Sequence, residues 1–389
     1  MFADLAPGVR SAAGRVASAE AGASRVAELA EEAASSGTFG VGGLLVDRHG
    51  AIVAEAVNAV VEEGYVRDPT AHVERQLVDW YFRSRSTAPL PGPDELTIVC
   101  SLDPCAMCAG AILKSGFSVV AVAEDPMSGV HEGGRPVRLP EELQEAARER
   151  FALFAVRDSR PPSYHRLAEA LIGDVAPATK VRCQIAFERS LVTVRPIVAG
   201  VAEEAESGRV TDADQRRLRE ASLTLPPGMS VAPDDFPLVA TADRSRLTAF
   251  LAGDHSCLVD AAGRPICVAA GAEHESPART SVLELIRGYV SMRNQLWRAG
   301  GLALPHPRFC SVVVRQAPGT AEDALLTLGA LGSLLEERRL ARQLPLLSFL
   351  EGDQQRFERY IASLPPLYKD EIEVTAGLLA PARAARPST

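Results

Sequence analysis

The sequence lacks any apolar run approaching the roughly 20 residues that span a bilayer, which excludes a helical membrane protein. It opens on no charged leader followed by an apolar core, so no secretory signal is expected and the chain is expected in the cytoplasm. Lysine is scarce. Of 41 basic residues only Lys114, Lys180 and Lys369 are lysine, and the arginine and alanine richness points to a GC-rich genome rather than to a function. Positive charge is not in excess either: 50 acidic residues give a net charge of −9. Residues 1–150 carry 22 acidic and 13 basic side chains, residues 151–389 carry 28 of each, so the whole imbalance lies in the first part. A nucleic-acid binder usually shows the opposite sign near its working surface, so the composition speaks against nucleic acid as a partner. A paired set of cysteines is missing as well. Cys100, Cys105, Cys108, Cys183, Cys257, Cys267 and Cys310 make seven, an odd count that argues against a disulfide framework. Five stand singly and are expected as small buried residues. Cys105 and Cys108 form a CxxC pair, a spacing that serves redox chemistry or metal binding.

What is present is ordinary globular sequence, 47% hydrophobic and 23% charged. At 389 residues it is too long for one compact domain, so two are expected. The pattern predicts an amphipathic helix over 11–36, with Val16, Ala19, Ala23, Val26, Leu29 and Ala30 near helical spacing. A hairpin follows at 42–47 and 51–58, then a helix at 71–85 and a buried strand at 96–101. A helix at 105–115, a strand at 118–123, a helix at 140–150 and a strand at 151–157 complete a unit. The order is α-β-β-α-β-α-β-α-β, an α/β mixed sheet of five strands covered by helices.

Residues 158–235 read as a connector, with helical stretches at 164–173 and 211–222, and as the opening of a second unit. From about residue 236 the order of elements recurs. Cys257–Gly263 resembles Leu44–Gly50, Ser276–Tyr289 has the layout of Asp68–Tyr81, and Phe309–Arg315 is a buried strand like Leu96–Ser101. The chain is therefore expected to contain a repeat with a period near 210 residues: a first unit at 1–157, the connector at 158–235, and a second unit at 236–389.

Two short segments carry the chemistry. Asp68–Glu74 reads DPTAHVE and Leu102–Cys108 reads LDPCAMC, each opening a helix. One imidazole and two thiolates suit zinc and leave its fourth position for water. Cys105 and Cys108, at i and i+3, lie on one face of a helix start, where the positive end of the helix favours thiolates. His72 at the first turn can bind the same ion while Glu74 lies beside the water as a proton shuttle. Cys100, a conceivable fourth ligand, is expected in the core. Asn58 is either a turn residue or a substrate contact. His131 is expected on an exposed loop, and Asp125 is expected to satisfy backbone near the end of a strand.

At these residues the sequence resembles the cytidine deaminase-like superfamily of zinc deaminases, in the branch of tRNA adenosine deaminases and bacterial guanine deaminases. Asn58, DPTAHVE and LDPCAMCAGAIL stand where that branch has its motifs, over roughly residues 20–157. Val73 and Asp103 replace the usual Ala and Glu. The resemblance implies the three-layer cytidine deaminase-like fold and one zinc ion per chain, held by His72, Cys105 and Cys108. It implies Glu74 as acid and base, the Cys105 backbone N–H as oxyanion donor, and Asn58, Phe39, Val41 and Ala71 at the substrate. The implied reaction is hydrolytic: an amino group on a heterocycle becomes a carbonyl and ammonia leaves. The acidic first unit favours a small nucleobase, nucleoside or related metabolite. The alternative is tRNA adenosine-to-inosine editing, for which Arg157 and Arg160 are the basic residues at hand. The second unit lacks the ligands. Thr280 and Val282 fall at His72 and Glu74, and Gly319 and Glu322 at Cys105 and Cys108. Because such deaminases commonly pair subunits, the second unit is expected to form an intramolecular pseudo-dimer with the first, with a homodimer of the whole chain also conceivable.

Overall fold

The computed structural model describes residues 6–154, 168–199, 209–239, 244–251, 253–333 and 347–369, together with 242, 372 and 374–376. In the first unit, strand β1 (Val9–Ser11) precedes helix α1 (Ala19–Ser35). The expected helix over 11–36 is thus shorter at its start. It begins where Ser18, in extended conformation, accepts a hydrogen bond from the Ala21 N–H, a cap that sets the first turn. Hairpin β2 (Gly42–Asp47) and β3 (Ile52–Val57) leads through a small ribbon, β4 (Val61–Glu62) and β5 (Tyr65–Val66), to α2 (Val73–Arg85). Then come β6 (Leu96–Leu102), α3 (Ala106–Ser115), β7 (Ser118–Ala123), α4 (Glu141–Arg150) and β8 (Phe151–Leu153). Residues 155–157 of the expected last strand lie outside the described residues.

The sheet order is β1-β3-β2-β6-β7-β8. The first four strands pair antiparallel, and β6, β7 and β8 run parallel. The expected five strands are joined by β1, too short and too exposed to show period-2 patterning. The β2 glycines let both helix layers close on the sheet. A Cβ on Gly42 would sit 2.4 Å from Leu29 of α1, and one on Gly43 would sit 2.5 Å from Val73 of α2.

Most of the region read as a connector is structured. Helix α5 (Pro177–Ala199) packs along α1 on the first sheet. Glu20 accepts hydrogen bonds from the Ala176 N–H and the Thr179 hydroxyl, and Arg182 pairs with Glu31. Of the helix expected at 164–173, the described part is a single 3-10 turn at Glu169–Leu171. Helix α6 (Asp212–Glu220) lies where a helix over 211–222 is expected.

The remaining elements are β9 (Met229–Val231), α7 (Arg244–Phe250), β10 (His255–Val259), β11 (Pro265–Ala270), α8 (Ser281–Gly300), β12 (Ser311–Gln316), α9 (Ala321–Gly332), β13 (Leu347–Glu351), α10 (Gln354–Ser363), α11 (Pro366–Lys369) and β14 (Val374–Ala376). Their sheet runs β9-β11-β10-β12-β13-β14. Element for element this is the order of the first sheet, with the same antiparallel and parallel neighbours. The register also slips at matching places, Leu45/Val46 and Leu258/Val259.

The two sheets meet through their helices, chiefly α3 against α9. A Cβ on Gly329 would lie 2.1 Å from the backbone nitrogen of Met107, and one on Gly110 would lie 2.9 Å from the Glu322 carbonyl. Beside this seam lies a buried polar cluster. Ser276 donates to Asp79 at 2.7 Å, and Arg287 faces Asp68 at 3.7 Å. Under the 208-residue offset of the sequence repeat, 68 pairs with 276 and 79 with 287. The two contacts therefore join the same two positions reciprocally, the pattern that a two-fold axis imposes.

Candidate active site

The metal-binding side chains come from two helix starts. His72 is the residue before α2 and Cys105 the residue before α3, both in extended conformation, with Cys108 one turn into α3. The sheet sets their separation, because α2 and α3 follow from neighbouring parts of one layer and pack on each other. The imidazole and both sulfurs lie within 4.8 Å of one another, and the Cys105 sulfur is 3.5 Å from His72 Nδ1. A tetrahedral zinc, with Zn–S near 2.3 Å and Zn–N near 2.0–2.1 Å, needs ligand atoms about 3.5–3.8 Å apart. The donor set and the spacing fit zinc. Among the described residues this is the one cluster of three His, Cys or acidic side chains of that kind.

The electrostatics favour a cation. The Cys105 thiol is held well below the ordinary thiol range, first by a hydrogen bond from Cys108 and then by the neighbouring His72. Burial pushes the Cys108 thiol well up. Glu74, in the first turn of α2, is 3% exposed. Burial raises its carboxyl above the usual carboxylate range, and the Cys105 sulfur adds to the rise. That shift suits a group which must both take and return a proton. Cys100 is a core residue of β6, as expected, yet its thiol also donates to Glu74 Oε1 at 3.3 Å. Cys100 therefore orients the acid rather than the metal.

A small cavity of about 60 Å³ opens beside this cluster. Phe39, Val41, Asn58, His72, Glu74 and Cys105 border it, as do Leu102, Asp103, Asp125, Ser128 and Phe187. Four of the expected substrate-side positions need separate description. Phe39 and Val41 lie on the loop leading into β2. Asn58 ends β3 and is 4% exposed. Its amide oxygen accepts from the Thr38 hydroxyl at 2.8 Å and the Val60 N–H at 3.0 Å. Both bonds fix the amide so that its NH2 remains to donate. Ala71 is not on the wall. It is fully buried, its N–H donates to the Asp68 carbonyl, and its carbonyl accepts from the Ala59 N–H and the Gln76 side chain. Ala71 braces the loop behind His72.

Two features depart from the sequence analysis, and a third extends it. Phe187 of α5 stacks on Phe39, ring centroids 6.3 Å apart, and the Ser190 hydroxyl accepts from the Gly40 N–H. The supposed connector thus supplies a wall. His131 is buried rather than exposed, because its Nδ1 faces Asp103 Oδ1 at 2.5 Å and its backbone N–H donates to Asp103 Oδ2 at 2.8 Å. Those bonds replace the water an exposed loop histidine would have. Asp125 accepts from the Met127 and Ser128 N–H groups, as expected of a strand-end residue, and also borders the cavity.

Residues 17–124 match the family described as the cytidine and deoxycytidylate deaminase zinc-binding region. This part of the chain carries the zinc-binding region of that deaminase family. It is 29% identical over 130 residues to the guanine deaminase of Bacillus subtilis (strain 168), a match covering 33% of this chain and 80% of that protein. It is also similar to the guanine deaminase of Nitrosomonas europaea, at 21% identity and a TM-score of 0.30, over 46% of this chain and 88% of that one. A tRNA:A34 deaminase is found at 25% identity and a TM-score of 0.22, over 28% and 83%. The match gives this unit the character of a hydrolytic C–N deaminase, with His72, Cys105 and Cys108 as its candidate zinc site.

The second unit carries other side chains at the corresponding helix starts. Thr280 caps α8 as His72 precedes α2, in agreement with the sequence alignment. Thr320 caps α9 as Cys105 precedes α3. The helix starts therefore set Thr320, not Gly319, opposite Cys105, and Asp323 opposite Cys108. No helix among the described residues is long and apolar enough to cross a membrane.

Proposed function

We propose that the chain deaminates a small amino-heterocycle, of free-base or nucleoside size, at the cavity beside His72, Cys105 and Cys108. The observation that carries this is the wall of that cavity. Its lining includes the aromatic rings of Phe39 and Phe187 and the carboxyl groups of Asp103 and Asp125. A flat uncharged ring fits such a wall. A phosphodiester chain fits it less well, because carboxylates line it and, among the described residues, no arginine or lysine borders it. This favours a small substrate over tRNA.

Zinc supplies the Lewis acidity that makes water a nucleophile at neutral pH. Glu74 takes one proton from the attacking water and delivers it to a ring nitrogen, then takes the second proton from the new hydroxyl and passes it to the amino group, which leaves as ammonia as the carbonyl forms. The Asn58 NH2 donates to a ring substituent and sets which carbon faces the water. The Cys105 N–H, at the start of α3, stabilises the oxygen as it gains charge. Phe39, Val41 and Phe187 hold the ring plane and keep bulk water out.

We also read residues 229–376 as a second copy of the same fold without its metal ligands, forming an intramolecular pseudo-dimer. Support comes from the matching strand orders and from the reciprocal contacts of Asp68, Asp79, Ser276 and Arg287. The test of substrate class is ammonia release from a panel of purines, pyrimidines, pterins and their nucleosides, run beside a tRNA editing assay at several salt concentrations. The expected result is ammonia from one small heterocycle and no inosine in tRNA. Inosine formation whose tRNA affinity falls steeply with salt would contradict the reading.

A further inference from the structure

The turn that presents His72 is held by a chain of polar contacts that ends in the second unit. The Thr70 carbonyl accepts the His72 N–H at 2.8 Å and also the Arg75 Nε–H. Thr70 is held in turn by Asp68, whose Oδ1 accepts from the Thr70 N–H at 2.8 Å and from the Thr70 hydroxyl at 2.6 Å. The other oxygen, Asp68 Oδ2, lies 3.2 Å from Arg75 Nη2 and 3.7 Å from Nε of Arg287, on α8 of the second unit. Both carboxylate oxygens are thus engaged. The charges balance across the seam. Arg75, fully buried, serves both Asp68 and the buried Asp79, and two carboxylates against one guanidinium leave these first-unit groups with an excess of negative charge. In the second unit Glu284 is paired by Arg279 at 2.9 and 3.0 Å. Arg287, also buried, stands between Glu284 and Asp68, and its charge offsets the first unit's excess. A buried carboxylate deprived of such a partner loses either its charge or its favourable contacts.

We infer that Arg287 of the second unit is a positioning residue for the metal site: it balances Asp68 across the seam and so fixes the turn that presents His72. The path is continuous, from the Arg287 guanidinium to the Asp68 carboxylate, then to Thr70 and the His72 N–H. His72 comes from one helix start and both cysteines from another, so an imidazole that wanders loosens the site although the cysteines stay in place. The metal-less unit thereby contributes to metal affinity without contributing a ligand, as groups behind a ligand commonly do. This rests on the zinc site described above.

The test uses the full chain. Zinc affinity is measured by competition with a chromophoric chelator, and the visible absorption of the cobalt-substituted proteins reports ligand geometry. Arg287→Met is expected to raise the zinc dissociation constant roughly 10-fold or more and to shift the cobalt spectrum. Arg287→Lys, which keeps the charge, should recover most of both. Removing Arg287 alone leaves a buried carboxylate unpaired and costs stability. Asp68→Asn combined with Arg287→Met removes one charge of each sign, so this variant keeps the seam neutral while the brace stays broken. It should bind zinc as weakly as Asp68→Asn alone, because both changes lie on one path. Lys114→Met removes a seam contact to Glu273 and Asp323 from the last turn of α3, and should leave zinc affinity unchanged. Wild-type affinity and spectrum in Arg287→Met or in the double variant, or an equal loss in Lys114→Met, would overturn the inference while leaving the site intact. A wild-type chain that binds no zinc would overturn the site reading itself.

Discussion

At the scale of single residues, the metal triad was legible because its chemistry is written in fixed local spacings. His-x-Glu and Cys-x-x-Cys each sit at one helix start, so sequence distance translates directly into geometry. The rest of the wall was not legible for the opposite reason. Asp103 and His131 are 28 residues apart and meet only because β6 and β7 end side by side, which no local pattern encodes. Asn58 lies between the two cases, with its position suggested by the motif and its orientation set by Thr38 and Val60. Asn58→Ala removes both a donor to substrate and the acceptor for those two groups. We expect kcat/KM to fall about 10-fold or more and stability to fall by about 1–3 kcal/mol, with zinc content unchanged. Steady-state kinetics, thermal unfolding and metal analysis of one preparation check all three.

At the scale of elements, boundaries were recovered to within a residue or two wherever apolar periodicity was strong, as in β2, β7 and α3. Helix α5 was missed for a physical reason. Its inward stripe is Thr179, Cys183, Ala186, Ser190, Val194 and Val198, all buried. The spacing of four, three, four, four and four is helical, but four of the six are small or hydroxylated, so a hydrophobic reading does not register it. The signal was the spacing itself. The helix pair α3 and α9 offers a sharper test. In an exposed helix, Gly→Ala stabilises by roughly 1 kcal/mol. At Gly329 the new Cβ would lie 2.1 Å from the Met107 backbone, which cannot yield without moving α3. Overpacking of this sort costs about 1–3 kcal/mol, so the sign reverses. Gly329→Ala is expected to lower the denaturant midpoint. Because Met107 stands between the two cysteines, it should also weaken zinc binding. A stabilised variant would mean the helices are not in that contact.

At the scale of the whole molecule, the repeat was legible as an order of elements, while the way the copies meet was not, since the contacts join residues about 200 positions apart. The buried cluster at the seam ties stability to pH. Burial alone would raise Asp68, but the charges of Arg75 and Arg287 outweigh it and hold the carboxyl below 3.8. Burial likewise opposes Glu284, which Arg287 and Arg279 hold below 4.5. Folded pKa values below the unfolded ones mean that the unfolded chain binds more protons in acid. Stability from these groups is therefore complete above the unfolded values, declines below them, and is lost as pH falls through the lower folded values. The unfolding temperature should hold level down to about pH 5 and decline below it. Arg287→Leu leaves two buried carboxylates short of a partner and should cost about 3–5 kcal/mol at neutral pH. Calorimetry across pH 3–7 (roughly the window in question) would show both, and an unchanged profile in Arg287→Leu would speak against a charged seam.

In the proposed reaction the buried carboxyl of Glu74, beside the candidate zinc ligands, carries out the hydrolytic proton transfer. The direct measurement is ammonia release by zinc-loaded wild-type chain and zinc-loaded Glu74→Gln, on the heterocycle that the panel identifies. The expected result is one ammonia per substrate converted by the wild type, and a rate lower by on the order of 10²–10⁴-fold in Glu74→Gln at equal zinc content. Ammonia release at the wild-type rate by Glu74→Gln would contradict it.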